Sequence, residues 1–161
     1  MKIRYLFAII IFGCLFSSCE DKTTKKSNDL NGVSPSKQYS DIFNNKEKRN
    51  KLEEKVFSKG DTLAYRELFD IYFISGNKNN FLKIAMVMAN DYNSSDASYI
   101  TYSLLSTDKN LDTKSNKIAN YYLLKACEMD KQSGYEADLE ERFDKSKTIP
   151  KSSDYWLEIS K

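Results

Sequence analysis

Residues 61–90, DTLAYRELFDIYFISGNKNNFLKIAMVMAN, decide the fold. Asp61 is a good N-cap. Behind it Leu63-Ala64, Leu68, Ile71-Tyr72 and Ser75 follow a 3.6-residue stripe, which Gly76-Asn77 ends. Asn80 can cap a further helix, in which Phe81, Ile84, Ala85 and Met88 stand at i, i+3, i+4 and i+7. That spacing places four apolar side chains on one face. Two short amphipathic helices joined by a tight turn are the unit from which the rest of the chain can be read.

The same pattern continues on both sides. Upstream, Leu52 and Val56 are four apart and Gly60 stands where a helix stop belongs, so helix is expected from about Ser40. Downstream, Ser95 or Asp96 opens a helix carrying Tyr99, Ile100, Ser103 and Leu104. After an extra loop at Thr107 to Asp112, Asp112 or Thr113 opens another with Ile118, Tyr121-Tyr122, Leu124-Lys125 and Met129. Tyr135, Leu139 and Phe143 suggest one more. Pro150 breaks the chain, and Ser152 or Ser153 can cap a last turn or two with Tyr155, Trp156, Leu157 and Ile159. Trp156 reads as a lid on the last hairpin. No alternating apolar run is long enough for a sheet, so residues 40–161 are predicted to form an all-α domain.

Composition narrows the function. Lys and Arg number 25 against 23 Asp and Glu, and both excess cations, Lys2 and Arg4, lie near the N-terminus. The remainder is balanced, whereas a nucleic-acid binder carries a clear basic excess. Histidine is absent. That removes Ser-His-Asp and Cys-His catalysis and every His-ligated zinc or haem site. No enzyme, metal site or cofactor is therefore expected.

The first nineteen residues carry a different signal. Lys2 and Arg4 precede the uncharged apolar run Tyr5 to Phe16, which is too short to span a bilayer but suits an export signal. The segment Phe16-Ser17-Ser18-Cys19 resembles the lipobox of bacterial lipoproteins, with Phe16 where leucine is usual. The resemblance implies that residues 1–18 are a signal peptide and that Cys19 takes a diacylglyceryl group. It also implies a bacterial outer-membrane protein anchored by its N-terminal lipid. Glu20-Asp21 resemble the acidic start of surface-displayed lipoproteins of the Bacteroidota, a group that the Lys-, Asn- and Tyr-rich composition also fits. Display on the cell's outer face and a periplasmic orientation both stay open. Residues 19–39, rich in Lys, Thr, Ser, Asn and Asp with Gly32 and Pro35, then form a flexible tether. With Cys14 lost and Cys19 lipidated, Cys127 is left alone, and without a histidine base it reads as a small core residue.

An internal period appears in the body. Tyr65 and Tyr99 lie 34 residues apart, as do the cap candidates Asp61 and Ser95. Tyr65, Leu68, Tyr72 and Gly76-Asn77 resemble the first helix and turn of a tetratricopeptide repeat. Ala119, Leu123, Ala126 and Asp130 resemble a second helix and its exit, and residues 117–126 look like the Sel1-type variant of it. Phe81 and Met88 replace the usual small residues, Ser106 replaces the usual tyrosine, and no proline closes either unit. The resemblance covers roughly residues 61–131 and implies a short array of antiparallel helical hairpins, with the flanking helices as caps. Such arrays bind proteins or peptides.

Candidate sites follow from that frame. Among eleven tyrosines, Tyr65, Tyr72, Tyr99, Tyr102 and Tyr122 can line the inner surface of the array or fill its core. Glu136, Asp138, Glu140 and Glu141 form an acidic cluster that reads as a solvated face. The reading that best joins these features is a lipid-anchored module that binds a protein or peptide partner without turnover. An immunity or inhibitor lipoprotein against an envelope toxin is a narrower alternative. A glycan- or metal-binding protein that uses carboxylates alone is another.

Overall fold

The computed structural model describes residues 34–106, 113–143 and 148–161. The expected signal peptide, Cys19, most of the expected tether and the segment Thr107 to Asp112 lie outside these residues. Within them the fold is all-α: α1 (Pro35–Asn44), α2 (Lys46–Lys59), α3 (Thr62–Ile74), α4 (Leu82–Asn90), α5 (Ser95–Leu105), α6 (Lys114–Met129), α7 (Glu136–Arg142) and α8 (Ser152–Ile159). No helix among them is long and apolar enough to cross a membrane.

Local chemistry sets most boundaries. Helix α1 begins inside the stretch read as tether, because Ser34 accepts from the Lys37 N–H and Pro35 occupies the first helical position. Proline loses nothing there, since that N–H has no helical partner. Asp61 caps α3 by accepting from the N–H groups of Leu63 and Ala64, both at 3.0 Å. Gly60 ends α2 in the left-handed region at φ 63°, and a Cβ there would meet the Tyr92 ring at 2.2 Å.

Three expected caps differ. Asn80 lies inside a 3-10 turn, Lys78–Phe81, that leads directly into α4, so no extended residue is left to cap. Ser94 caps α5 in place of Ser95 or Asp96. Helix α8 has no cap of its own, since Lys151 occupies that position. Its first residue, Ser152, instead gives its N–H and its hydroxyl to the two Glu128 oxygens of α6, each at 2.6 Å. A carboxylate from another helix thus satisfies a helix start and meets the positive end of its dipole.

The core is continuous from α1 to α7. Helices α1 and α2 pack on α3, α4 on α2 and α5, α5 on α6, and α6 on α7 and α8. Phe81 is the hub of the first half. It is fully buried, with the rings of Tyr65, Tyr72, Phe69 and Phe73 at 5.2–5.9 Å around it. The bulk that departs from a small-residue pattern therefore fills the centre of an aromatic cluster. On the other side, Ala97, Ala119, Ala126, Ser98 and Thr101 are fully buried and let α5 and α6 approach closely.

Candidate functional site

A groove of about 470 Å³ opens between α3 and α5, lined also by Met88 of α4 and by Tyr135 just before α7. Phe69, Met88 and Ile100 supply apolar lining, Tyr65, Tyr99 and Tyr135 supply rings, and Arg66 and Asp96 supply charge. Its size and its mix of apolar wall with few polar groups match those of ligand sites.

The groove's tyrosine end is held by a reciprocal clasp. Tyr99 of α5 donates to Asp138 Oδ2 of α7 at 2.6 Å, and Tyr135 donates back to Asp96 Oδ1 of α5 at 2.9 Å. Between them the two rings stack at 4.1 Å, nearly parallel at 8°. The hydrogen bond to Asp138 and burial push the Tyr99 phenol up to about 12. Burial and the bond to Asp96 raise Tyr135 as well. Both phenols therefore keep their protons and act as donors near neutral pH.

The five tyrosines singled out in the sequence divide. Tyr65, Tyr72, Tyr102 and Tyr122 are buried in the core. Three of these four have partnered hydroxyls. Tyr72 donates to Glu53 at 2.8 Å, Tyr102 accepts from Arg142 at 3.2 Å, and Tyr122 accepts from Asn90 at 2.8 Å. Tyr99 is half-buried, and only Tyr65 and Tyr99 of the five line the groove. Tyr65 stands apart, 9% exposed and with a buried hydroxyl that has no hydrogen-bond partner. Burial, then the nearby Asp96 charge, raise its pKa. Buried hydroxyls are normally satisfied, so this one calls for a reason.

Leu63, expected on the buried stripe, and Trp156, expected as a lid, are both more exposed than those readings imply. Leu63 was placed on the buried stripe of α3 by its position beside Ala64, yet it is 80% exposed on the lip of the groove. It occupies the second turn position after the cap, where Ala64 and Tyr65 already fill the buried face. Trp156 packs on Tyr121 at 4.9 Å but keeps 43% of its surface exposed, so it covers α6 only in part.

Of the acidic cluster, Glu136, Glu140 and Glu141 are exposed, and Asp138 enters the clasp. Cys127 is a free, half-buried thiol that burial, helped by Glu136 and Asp138, pushes up to about 11. It is therefore protonated and unreactive near neutral pH. Among the described residues no group of three His, Cys, Asp or Glu side chains could hold a metal ion. Sequence reasoning missed Leu63, Arg66, Phe69, Asp96 and Tyr135 as groove residues. The sequence does hold one usable signal, the mirrored spacing Asp96-x-x-Tyr99 and Tyr135-x-x-Asp138.

Comparison with protein-family models, with curated proteins and with solved structures gives no match.

Proposed function

We propose that this chain is a lipid-anchored protein of the bacterial cell envelope whose helical body binds a protein or peptide partner without turnover. The lipobox-like Phe16-Ser17-Ser18-Cys19 supports the anchor. The 34-residue spacing of Tyr65 and Tyr99 supports a tetratricopeptide- or Sel1-like hairpin array. The observation that carries the binding role is the α3–α5 groove, walled by Phe69, Tyr65 and Ile100 with Leu63 exposed on its lip. The weight falls on the groove more than on the single exposed leucine, since ligand sites are concave and mostly apolar with a few polar groups.

Two substitutions test the reading separately. Cys19→Ser should abolish lipid incorporation and release the protein from membranes, and a variant still lipidated would refute the anchor. Leu63→Gln should leave thermal stability unchanged, because the side chain is exposed and glutamine suits a helix. In envelope cross-linking it should lose the adduct formed by the parent chain. An adduct of undiminished yield would refute the groove as the docking face.

A further inference from the structure

Helix α7 is held by few, directional contacts. Seven residues are too short to be a stable helix alone in water, and this one buries only Leu139. Glu136, Ala137, Glu140 and Glu141 are exposed. Toward α5 the helix has the two phenol–carboxylate bonds, the Tyr99–Tyr135 stack, and Arg142, which donates to the Tyr102 hydroxyl at 3.2 Å. Just before it, Gly134 turns the chain at φ 80°, a conformation that suits glycine. A Cβ built there would meet nothing within 4 Å, so no neighbour blocks a swing of the backbone at that point.

Tyr135 belongs both to the clasp and to the groove wall. Burial raises the Tyr65 pKa, and Asp96 and then Tyr135 raise it further, which places the Tyr65 phenol close to the clasp. With α7 in place the Tyr65 hydroxyl is closed to solvent and has no hydrogen-bond partner. A stranded buried hydroxyl costs free energy that contact with water would relieve. The clasp bonds therefore favour the closed arrangement, and the Tyr65 hydroxyl opposes it. Elements that move in function are drawn from such lightly held parts of a fold.

Resting on the groove as the docking face, we propose that residues 135–142 are a strap that opens as a unit about Gly134, lifts Tyr135 out of the groove and uncovers the Tyr65 hydroxyl, so that α7 gates the groove's tyrosine end.

The test is hydrogen exchange, read by mass spectrometry, on the full-length chain in detergent with no partner added. The α7 amides should exchange ahead of those of α3 to α6, at a rate that low urea hardly changes, since a local opening exposes little surface. Tyr99→Phe should speed α7 exchange roughly tenfold, as expected for loss of a hydrogen bond to a carboxylate. Tyr65→Phe, a change on α3, should slow it roughly fivefold, because nothing is then relieved by opening. Alkylation of Cys127, followed at that residue, gives a second reading. Burial, Glu136 and Asp138 push its thiol up to about 11 in the closed form, and the strap carries both carboxylates away. Alkylation should follow the same order, fastest in Tyr99→Phe and slowest in Tyr65→Phe. Exchange of α7 only with global unfolding, or an α7 rate unchanged by Tyr65→Phe, would overturn the strap. Both readings are made without a partner, so the Leu63→Gln cross-linking result judges the docking face separately.

Discussion

The two halves of the body are held together by different physics. Around α3 and α4 the contacts are apolar: Phe81 sits among four rings, and Leu68, Ile71, Ile84, Ala85 and Met88 are buried with it. Around α7 and α8 the contacts are mostly polar. Tyr99 with Asp138 and Tyr135 with Asp96 clasp α7 to α5. Arg142 reaches Tyr102 and Asn116, and Glu128 holds the start of α8. Helix α7 is seven residues long and buries only Leu139. Burial is non-directional and additive over area, so the first half should tolerate small shifts. The second half depends on geometry, since a hydrogen bond to a carboxylate weakens steeply when misaligned. The groove lies where the two regimes meet, between the apolar α3 and the clasped α5.

The largest effect should come from the apolar hub. Phe81→Ala removes the shared centre of four aromatic contacts and should cost about 3–5 kcal/mol, read from urea unfolding followed by circular dichroism. A cost below about 1 kcal/mol would mean that the rings close over the gap and the hub is not one.

Breaking the clasp should cost less and act locally. Tyr99→Phe deletes a donor to Asp138 at a half-buried site and should cost about 1–2 kcal/mol. Hydrogen exchange should show α7 amides opening while α3 and α4 amides stay protected. Uniform loss of protection would erase the contrast between the halves.

Alkaline pH should sharpen the same contrast. Tyr72 and Tyr99 have folded-state values raised to about 12, from burial at Tyr72 and from the Asp138 bond at Tyr99. Such a group stays protonated in the native state after its unfolded counterpart has ionised near 10. The unfolded chain then holds fewer protons, so stability falls as pH rises. The contribution is whole below pH 10 and is lost between about pH 10 and 12. Phenolate absorbance at 295 nm should therefore rise in two stages, the later one coinciding with loss of helical ellipticity. A single transition near pH 10 with the helices intact would contradict the environments described for these phenols.

The sequence carries the helical body more clearly than the site, for identifiable reasons. Helix periodicity and caps are local, so Asp61, Gly60, Gly76 and Thr113 announce their roles within a few residues. The groove is made by residues brought together from α3, α4, α5 and the approach to α7, and local patterns say nothing of that pairing. Leu63 illustrates the limit. By composition it belongs inside, and only the packing of Ala64 and Tyr65 shows that the buried face is already taken. Asp138 shows the converse, an acidic residue in a charged stretch whose partner lies 39 residues away. Phe81 is a third case, since a repeat pattern asks for a small residue where the aromatic cluster needs a large one.

The central claim is that the Tyr65 hydroxyl, buried beside the groove, has no hydrogen-bond partner within the chain, and thermal unfolding of Tyr65→Phe tests this most directly. The account predicts a Tm equal to or a few degrees above that of the parent chain, since the substitution deletes a buried group that costs roughly 1 kcal/mol or more to desolvate and gains nothing in the free protein. Tyr102→Phe, which removes the oxygen that Arg142 bonds, should lower Tm in the same experiment. A Tyr65→Phe protein that melts as early as Tyr102→Phe would contradict the account, because it would mean that the hydroxyl already has a stabilising partner within the chain.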